Sequence, residues 1–342
     1  MMPQGFSYND DIAGLLPSID DEGSISDLST KPIKPIAARA LALAQADPAR
    51  AWDVVSTAQR RHFAHLPLEN FHADHLSPAP RGGMVRFVII SDTHSAESRR
   101  PDAPVQVPPG DVLLHCGDFT QRGDPREVAK FCEWFASQPH RHKVLIAGNH
   151  DLSLDASSLE HCAPMHGLHL DRHGGAAAAN AAALELVAKI PNCAYLCDSG
   201  VRIHGIHIWG SPWQPEFGDW AFNLPRGAPC RERWRLIPDD ADIVLTHGPP
   251  LGHGDLCKHG GRAGCLDLLD ELQQRVRPAY HCFGHIHEGY GATTDGVTTY
   301  LNASTCNFNY RPDNQPLVFE LEAKEPREAE EKRSLAGAMV NE

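Results

Sequence analysis

Five short apolar segments in this 342-residue sequence are each followed by residues that can bind a metal ion. The segments cover residues 87–91, 112–116, 144–147, 243–246 and 279–283, and the residues after them are Asp92, His94, Asp118, Asn149, His247, His285 and His287. In α/β proteins, ligands gather at the carboxyl ends of strands. Oxygen and imidazole donors without a thiolate suit Mn, Fe or Zn better than a structural cysteine-rich zinc site. The spacing therefore predicts a divalent-metal site.

Seven such residues are enough to hold two metal ions if one carboxylate is shared. Two ions about 3.5–4 Å apart can clamp the attacking and leaving oxygens of a phosphoryl group, and a hydroxide between them would be the nucleophile. His150, next to Asn149, is placed to protonate the leaving oxygen. Asp151 is predicted to hold the His150 imidazole in one tautomer.

Each motif has a plainer interpretation when it is taken alone. An aspartate after a strand often caps a helix, and a Gly-Asp pair such as Gly117-Asp118 often forms a turn. The order of the five motifs and their common position after β-type segments favour the metal site.

The elements around these motifs indicate two packed sheets. Up to residue 147 the pattern is strand, connection, strand, helix, strand, as in a parallel βαβ arrangement. Asp124 and Pro125 predict the start of the helix, with an aspartate cap and proline at the first position. Segments 194–197, 201–209, 297–301 and 317–321 predict a second, mostly antiparallel sheet, and a helix is expected over 262–275. The expected fold is α/β, with helices outside two sheets packed face to face.

Three regions are expected along the chain. Residues 1–83 form an N-terminal extension, partly disordered and containing short helices over 36–62. Residues 84–322 form the catalytic domain, and residues 323–342 form a charged tail.

The amino-acid composition limits the classes of binding partner and the cellular compartment that can be expected. The net charge of −13 argues against extended nucleic acid or an anionic membrane, but allows a small phosphorylated substrate next to bound cations. No apolar stretch approaches the roughly 20 residues that span a bilayer. The absence of a signal-like N-terminus and the ten scattered cysteines predict a cytoplasmic protein with reduced thiols. The sequence gives no indication of the oligomeric state.

The same motifs resemble the calcineurin-like metallophosphoesterase superfamily, and most closely its metallophosphoesterase-domain-containing (MPPED) phosphodiesterase family. The resemblance covers most of residues 85–322, and the motifs are SDTHS (91–95), LHCGDFT (114–120), AGNH (147–150), WAFNLPRG (220–227), THGPPLG (246–252), FGHIHEGYG (283–291) and NASTC (302–306). It implies a four-layer αββα sandwich with two mixed β-sheets flanked by helices.

The resemblance also implies the distribution of ligands. The first metal would be held by Asp92, His94, Asp118 and His287, and the second by Asp118, Asn149, His247 and His285, with manganese expected ahead of iron or zinc. Asp118 would bridge the two ions, and His150 would be the general acid. Position 151 is Asp where close relatives often have Glu. Some members lack the first histidine of the G-H-x-H motif and are nearly inactive, whereas this chain has His285.

The resemblance implies hydrolysis of small phosphodiesters, with cyclic nucleotides as the expected class. The candidate substrate contacts are Asn149, Trp213, Phe217, Trp220, Arg226 and His253. The aromatic residues among them could stack on a base, or could equally seal the core under the second sheet.

Three other functions are weighed against this one, and each has a feature of the sequence against it. The segment Gly117–Gly123 superficially resembles a motif of protein Ser/Thr phosphatases, but it lacks an aspartate before Arg122. A nuclease is disfavoured by the acidic balance. A metal- or nucleotide-binding scaffold with weak activity is disfavoured by the complete ligand set.

Overall fold

The computed structural model describes residues 33–59, 62–77, 82–99 and 105–324 of the chain. The predicted disorder of the N-terminal residues and the predicted charged tail therefore fall largely outside the described residues.

Fourteen strands and eight α-helices make up the described part of the chain. The strands are β1 (Ala64–Leu66), β2 (Met84–Ile90), β3 (Val112–Cys116), β4 (His142–Ile146), β5 (Cys193–Tyr195), β6 (Ser199–Ile203), β7 (Ile206–Ser211), β8 (Gln214–Pro215), β9 (Asn223–Leu224), β10 (Ile243–Thr246), β11 (Tyr280–Phe283), β12 (Gly291–Thr294), β13 (Thr299–Asn302) and β14 (Leu317–Glu322). The helices are α1 (Ala38–Ala44), α2 (Pro48–Gln59), α3 (Ala96–Arg99), α4 (Pro125–Ser137), α5 (Leu159–Met165), α6 (Ala176–Ala188), α7 (Ala228–Trp234) and α8 (Leu266–Glu271), which continues as a π-helical turn to Val276.

The strands form two large sheets and one small one. The first sheet has the order β14-β2-β3-β4-β5, in which only β14 is antiparallel to its neighbour. The second has the order β1-β12-β13-β11-β10-β7-β6, with parallel pairing from β13 to β7 and antiparallel pairs at both edges. Strands β8 and β9 form a separate parallel pair.

The side-chain alternation of the strands produces the four layers. In β2, Phe87 and Ile89 point between the sheets, where they pack with residues such as Ile208 of the second sheet. Val88 and Ile90 point the other way, into the core beneath α4, α5 and α6. A third core covers the outer face of the second sheet under α1, α2, α7 and α8. The αββα sandwich of two mixed sheets is confirmed.

Two strand assignments were wrong. Strands β5 and β14 belong to the first sheet, not to the second, and the second sheet is mixed rather than mostly antiparallel. Contacts between distant residues determine the position of β14. Phe319 stacks on Phe87 with ring centroids 5.0 Å apart, and Glu320 forms a 2.7 Å ion pair with Arg86. Alternation within a strand does not contain this information.

The helix predictions hold with small shifts. Helix α4 begins at Pro125, and the Asp124 side chain accepts a hydrogen bond from the Arg126 amide as the cap. The helix expected over 262–275 begins later, at Leu266. The N-terminal region also contributes to the sandwich, because β1 pairs with β12 at the edge of the second sheet.

Candidate metal centre and active site

The seven predicted metal ligands meet at one edge of the sandwich. The first sheet supplies Asp92 and His94 after β2, Asp118 after β3 and Asn149 after β4. The second sheet supplies His247 after β10, and His285 and His287 after β11. All seven are buried or half-buried. Because the parallel strands of both sheets end at this edge, ligands that are distant in sequence lie side by side.

Four of these residues have a left-handed backbone, which non-glycine residues rarely adopt. The φ angles are 50° at Asp92, 44° at His94, 55° at Asp118 and 67° at His285. Each such residue costs of order 1–3 kcal/mol, and such residues concentrate at functional sites. Glycine would relieve the strain but would remove the donor atom.

Asp118 lies between two groups of donors. Its Oδ2 is 3.2 Å from His247 Nε2 and 3.8 Å from His94 Nε2. In the group that contains His94, Asp92 Oδ1 is 3.3 Å from His287 Nε2. Three sets have donor atoms within 4.8 Å of one another, namely Asp92 with His94 and His287, His94 with Asp118 and His150, and Asp118 with His247 and His285.

The main chain orients the imidazoles so that their Nε2 atoms face the centre. The Nδ1 atom of His94 lies 3.2 Å from the Thr120 carbonyl oxygen, that of His247 lies 3.0 Å from the Cys116 carbonyl, and that of His287 lies 3.0 Å from the Asn307 carbonyl. A carbonyl oxygen can only accept, so Nδ1 carries the proton in each case. Partners of this kind orient histidine ligands in metal sites.

In the neutral form of the imidazoles, which is the form that binds a metal, this arrangement leaves acceptor atoms facing each other. His94 Nε2 and His287 Nε2 are 3.1 Å apart, and His247 Nε2 is 3.0 Å from Asn149 Oδ1. When the imidazoles are neutral, each pair consists of two lone pairs with no proton between them. A cation placed between them would satisfy both, so the donors present fit divalent metal ions. Imidazole, carboxylate and amide oxygen suit Mn, Fe and Zn.

The pKa values of the metal-free cluster have opposing causes. Burial would raise the pKa of Asp92, but hydrogen bonding and attraction to His287 hold it well below its usual range. Burial would lower the pKa of His247, but Asp118 raises it to about 9. Burial, together with repulsion from neighbouring histidines, lowers the pKa values of His94 and His285 to about 3. Two neutral imidazoles and a carboxylate are thus already in the form that binds a metal.

The position of His150 agrees with its expected contact to the centre, but the role predicted for Asp151 is wrong. The Nδ1 atom of His150 is 2.7 Å from the Gln121 carbonyl, so a main-chain oxygen, not Asp151, holds the tautomer. The Asp151 carboxylate instead accepts hydrogen bonds from the amides of Gly148, Asp118 and Thr120 and from the Thr120 hydroxyl. Asp151 therefore positions the loops that carry the ligands.

A cavity of about 460 Å³ opens from the cluster and is lined by three of the six predicted substrate residues, Asn149, Phe217 and Arg226. Phe217 is 55% exposed. The Arg226 guanidinium donates to the carbonyls of Gly264 and Ala263, which fixes it in the wall.

The other three predicted substrate residues do not line this cavity. Trp213 donates to Asp198 and lies under the Arg233 guanidinium, 4.5 Å from ring centroid to Cζ, in a structural contact. Trp220 cannot stack on a base, because the imidazoles of His150 and His166 cover its two faces. His253 is buried against Tyr300, with ring centroids 3.8 Å apart.

Several lining residues were not predicted. Tyr310 lies 4.9 Å from His94, between ring centroids, and is 45% exposed. Phe308, Arg262 and Glu288 also line the cavity. Phe308, Tyr310 and Arg262 lie outside the helices and strands, and Glu288 lies in a single 3-10 turn (His287–Gly289), so no periodic pattern marks them.

Comparison with known proteins gives a consistent result. Residues 85–289 match the calcineurin-like phosphoesterase family. Metallophosphoesterase domain-containing protein 1 of Homo sapiens is 48% identical over 248 residues, which is 72% of this chain and 74% of that protein, and the Mus musculus protein of the same name gives the same values. UPF0046 protein T07D4.2 of Caenorhabditis elegans is 39% identical over 287 residues, or 80% of this chain and 68% of that protein.

Within the described ranges, no helix has the length and apolar character needed to cross a lipid bilayer.

Proposed function

This chain belongs to the calcineurin-like phosphoesterase family, and we propose that it is a dinuclear metal-dependent phosphodiesterase acting on small phosphodiesters, with cyclic nucleotides as the substrate class. The observation that carries the proposal is the position of Asp118 between two groups of inward-facing donors. A carboxylate in that position can be shared, and a shared carboxylate is what seven ligands need to hold two ions.

The proposed ligand sets are those that the family resemblance implies, and the close groups of donor atoms support them. One ion would be held by Asp92, His94, Asp118 and His287, and the other by Asp118, Asn149, His247 and His285. Manganese suits these nitrogen and oxygen donors. When bound, the ions supply Lewis-acid activation of water and of the phosphoryl oxygens.

Residues of the chain protonate the leaving group and contact the substrate. His150 donates a proton from Nε2 to the leaving oxygen, while the Gln121 carbonyl keeps Nδ1 protonated. Nε2 lies 4.0 Å from Asp118 Oδ2, beside the reaction centre. Phe217 and Arg226 contact the substrate from the cavity wall.

The charge of the cavity supports a diester over a monoester. Away from the ligands and His150, the charged lining residues are Arg226, Arg262, Glu216 and Glu288, two of each sign. Arg262 is also paired with the buried carboxylate of Asp255. The wall therefore has no surplus of positive charge for the second negative charge of a monoester. A monoanionic diester fits this balance.

The shape of the cavity supports a ligand of nucleotide size. The volume of about 460 Å³ lies in the range of small-molecule sites. Phe217, Phe308 and Tyr310 are each more than 40% exposed and line the cavity, so their rings are available to a flat base.

The test is hydrolysis of bis(p-nitrophenyl) phosphate and of p-nitrophenyl phosphate by metal-stripped protein, with and without added Mn²⁺. Cleavage of the diester that Mn²⁺ restores, with little cleavage of the monoester, is the expected result and would justify a panel of cyclic nucleotides. Preference for the monoester would point to a phosphatase. Binding of two metals without cleavage of either compound would point to a scaffold.

We also propose a cytoplasmic location. All ten cysteines lie in the described ranges and are free thiols, as expected for a reducing compartment.

A further inference from the structure

The imidazole of His150 has a stacking contact in addition to its hydrogen bonds. Its ring centroid lies 3.9 Å from that of Trp220, with 28° between the planes. His166 lies 3.4 Å from Trp220, at 18°. Both imidazoles are nearly parallel to the indole, and their ring centroids lie within 4 Å of its centroid. If they lay on the same face of the indole, they would overlap each other. They therefore lie on opposite faces, and the indole is held between them.

Stacking adds a constraint that the hydrogen bond does not provide. The 2.7 Å bond between His150 Nδ1 and the Gln121 carbonyl fixes one direction, but the ring can still turn about that direction. Contact with a flat indole face fixes the plane of the ring. With both constraints, Nε2 has one orientation, toward the centre.

The indole is itself held in place. The amide of Ala221, the next residue, donates to the Asn149 carbonyl at 3.2 Å. The Cys162 thiol of α5 approaches the Trp220 carbonyl at 3.6 Å. His166 follows α5 directly, and its Nε2 is 3.1 Å from the Asp219 carbonyl. The loop that carries Trp220 is thus attached both to the ligand loop and to α5.

We propose that Trp220, supported by His166, is a positioning residue that fixes the plane of His150 for proton transfer to the leaving oxygen. The inference rests on the proposed role of His150 as general acid. Neither Trp220 nor His166 lines the cavity, and neither belongs to a group of metal donors. Their loss should therefore affect proton transfer and not metal binding or substrate affinity.

Proton transfer can be isolated through the leaving group. p-Nitrophenolate is stable enough to leave without a proton, whereas phenolate is a poorer leaving group and depends more on an acid. We would compare bis(p-nitrophenyl) phosphate with diphenyl phosphate in Mn²⁺-loaded wild-type protein and in Trp220→Leu, Trp220→Phe and His166→Ala. The matched control is His169→Ala, which removes an exposed histidine three residues after His166 in the sequence.

The expected result is a selective loss. Trp220→Leu should lower kcat for diphenyl phosphate about tenfold to a hundredfold, the scale of a catalytic group displaced by about 1 Å. KM, bound Mn²⁺ and the rate with the p-nitrophenyl ester should stay near wild-type values. Trp220→Phe should restore most of the loss, His166→Ala should cause a smaller loss of the same kind, and His169→Ala should have no effect.

A second measurement does not depend on activity. Ring protons stacked over an indole resonate upfield, so the His150 and His166 signals should move downfield together in Trp220→Leu in the metal-free protein. His166→Ala should broaden or shift the His150 signals, because one support of the indole is gone.

Other outcomes would overturn the inference. Equal losses on both esters would indicate general damage, and unchanged rates on both would show that the stack is dispensable. If the wild-type protein cleaves only monoesters, the diester proposal fails. The role of Trp220 can then still be tested by comparing phenyl phosphate with p-nitrophenyl phosphate, which differ in the same leaving groups. If it cleaves neither class, both proposals fail.

Discussion

Asp118 connects more of the candidate centre than its neighbours do, through both carboxylate oxygens. Oδ1 accepts the amide of His150 at 2.7 Å, and Oδ2 faces the imidazoles of His247 and His94. A charged oxygen shared between two ions cannot be replaced by an amide without losing the charge that offsets both cations.

We therefore expect Asp118→Asn to abolish binding of the two metals and activity together. Metal analysis after dialysis, with the hydrolysis assay on the same sample, measures both. Retention of two ions by Asp118→Asn would contradict the bridging assignment.

His150→Ala should lower activity without loss of metal binding. Its Nε2 is 4.0 Å from Asp118 and its Nδ1 is bound to a carbonyl, so we expect the metals to stay bound. Turnover of diphenyl phosphate should fall by roughly a hundredfold or more, the usual contribution of a general acid. The close set formed by His150, His94 and Asp118 makes metal analysis essential. Metal loss equal to that of Asp118→Asn would identify His150 as a ligand.

At the scale of elements, the strand ends leave no room beside the ligands. A Cβ added at Gly284, directly after β11, would overlap the side chains of Asp92 and Ser91 from the other sheet. The Asp92 carboxylate is held there by the His285 amide, at 3.0 Å from Oδ2, and by the Ser304 hydroxyl, at 3.1 Å. Close approach of the two strand ends is therefore what brings Asp92 to His287.

Gly284→Ala should push the Asp92 carboxylate out of position. We expect weaker metal binding, by at least tenfold in Kd, the 10–100-fold scale on which disturbing the surroundings of a metal ligand acts. Gly82→Ala is the matched control, because a Cβ there meets no atom within 4 Å. Titration with Mn²⁺ measures both variants, and equal affinity in the two would show that the strand ends can separate without harm.

Local sequence predicted which seven residues gather at the candidate centre, because each follows a strand in its own segment. Asp151 shows where this approach fails. It lies next to His150 in the sequence, yet its oxygens face the amides of Asp118 and Thr120. Similarly, Trp220 lies in a loop whose aromatic content indicated base stacking, and only the fold reveals that His166 covers its second face. The position of β14 depended on its partners in β2, which alternation does not specify.

At the scale of the whole molecule, the affinity for metal ions should fall as the pH is lowered. His247 has a pKa raised to about 9 by Asp118 despite its burial, and the pKa of His287 is also raised, by Asp92 against the effect of burial. At neutral pH His247 is therefore protonated in the metal-free protein and must lose its proton to bind an ion. Affinity should rise with pH, by about tenfold per unit for each proton released, until the pH passes the His247 pKa.

Calorimetry of Mn²⁺ binding in buffers of different ionisation enthalpy counts these protons directly. We expect at least one to be released at pH 7, and the number to fall as the pH approaches 9. Affinity that is flat between pH 6 and 8, with no proton released, would show that His247 already binds the ion as a neutral imidazole or does not bind it.

The centre should also stabilise the entire sandwich, because its ligands come from both sheets. Asp92, His94, Asp118 and Asn149 follow strands of the first sheet, whereas His247, His285 and His287 follow strands of the second. An ion bound across this edge opposes both separation of the sheets and relaxation of the four left-handed residues. Unfolding releases it, so binding adds to the free energy of unfolding by mass action.

Mn²⁺ at a hundred times its Kd should add about 2.7 kcal/mol per ion. In domains of about 150–250 residues each kcal/mol raises Tm by about 2–4 °C, and a scan with and without Mn²⁺ should therefore resolve the shift for two ions even if this larger chain responds somewhat less. Asp118→Asn is the control: it keeps the fold's apolar cores but should not respond to the metal. An equal shift in both proteins would place the stabilising ions elsewhere, and no shift in the wild type would mean that the two sheets are held together by their core alone.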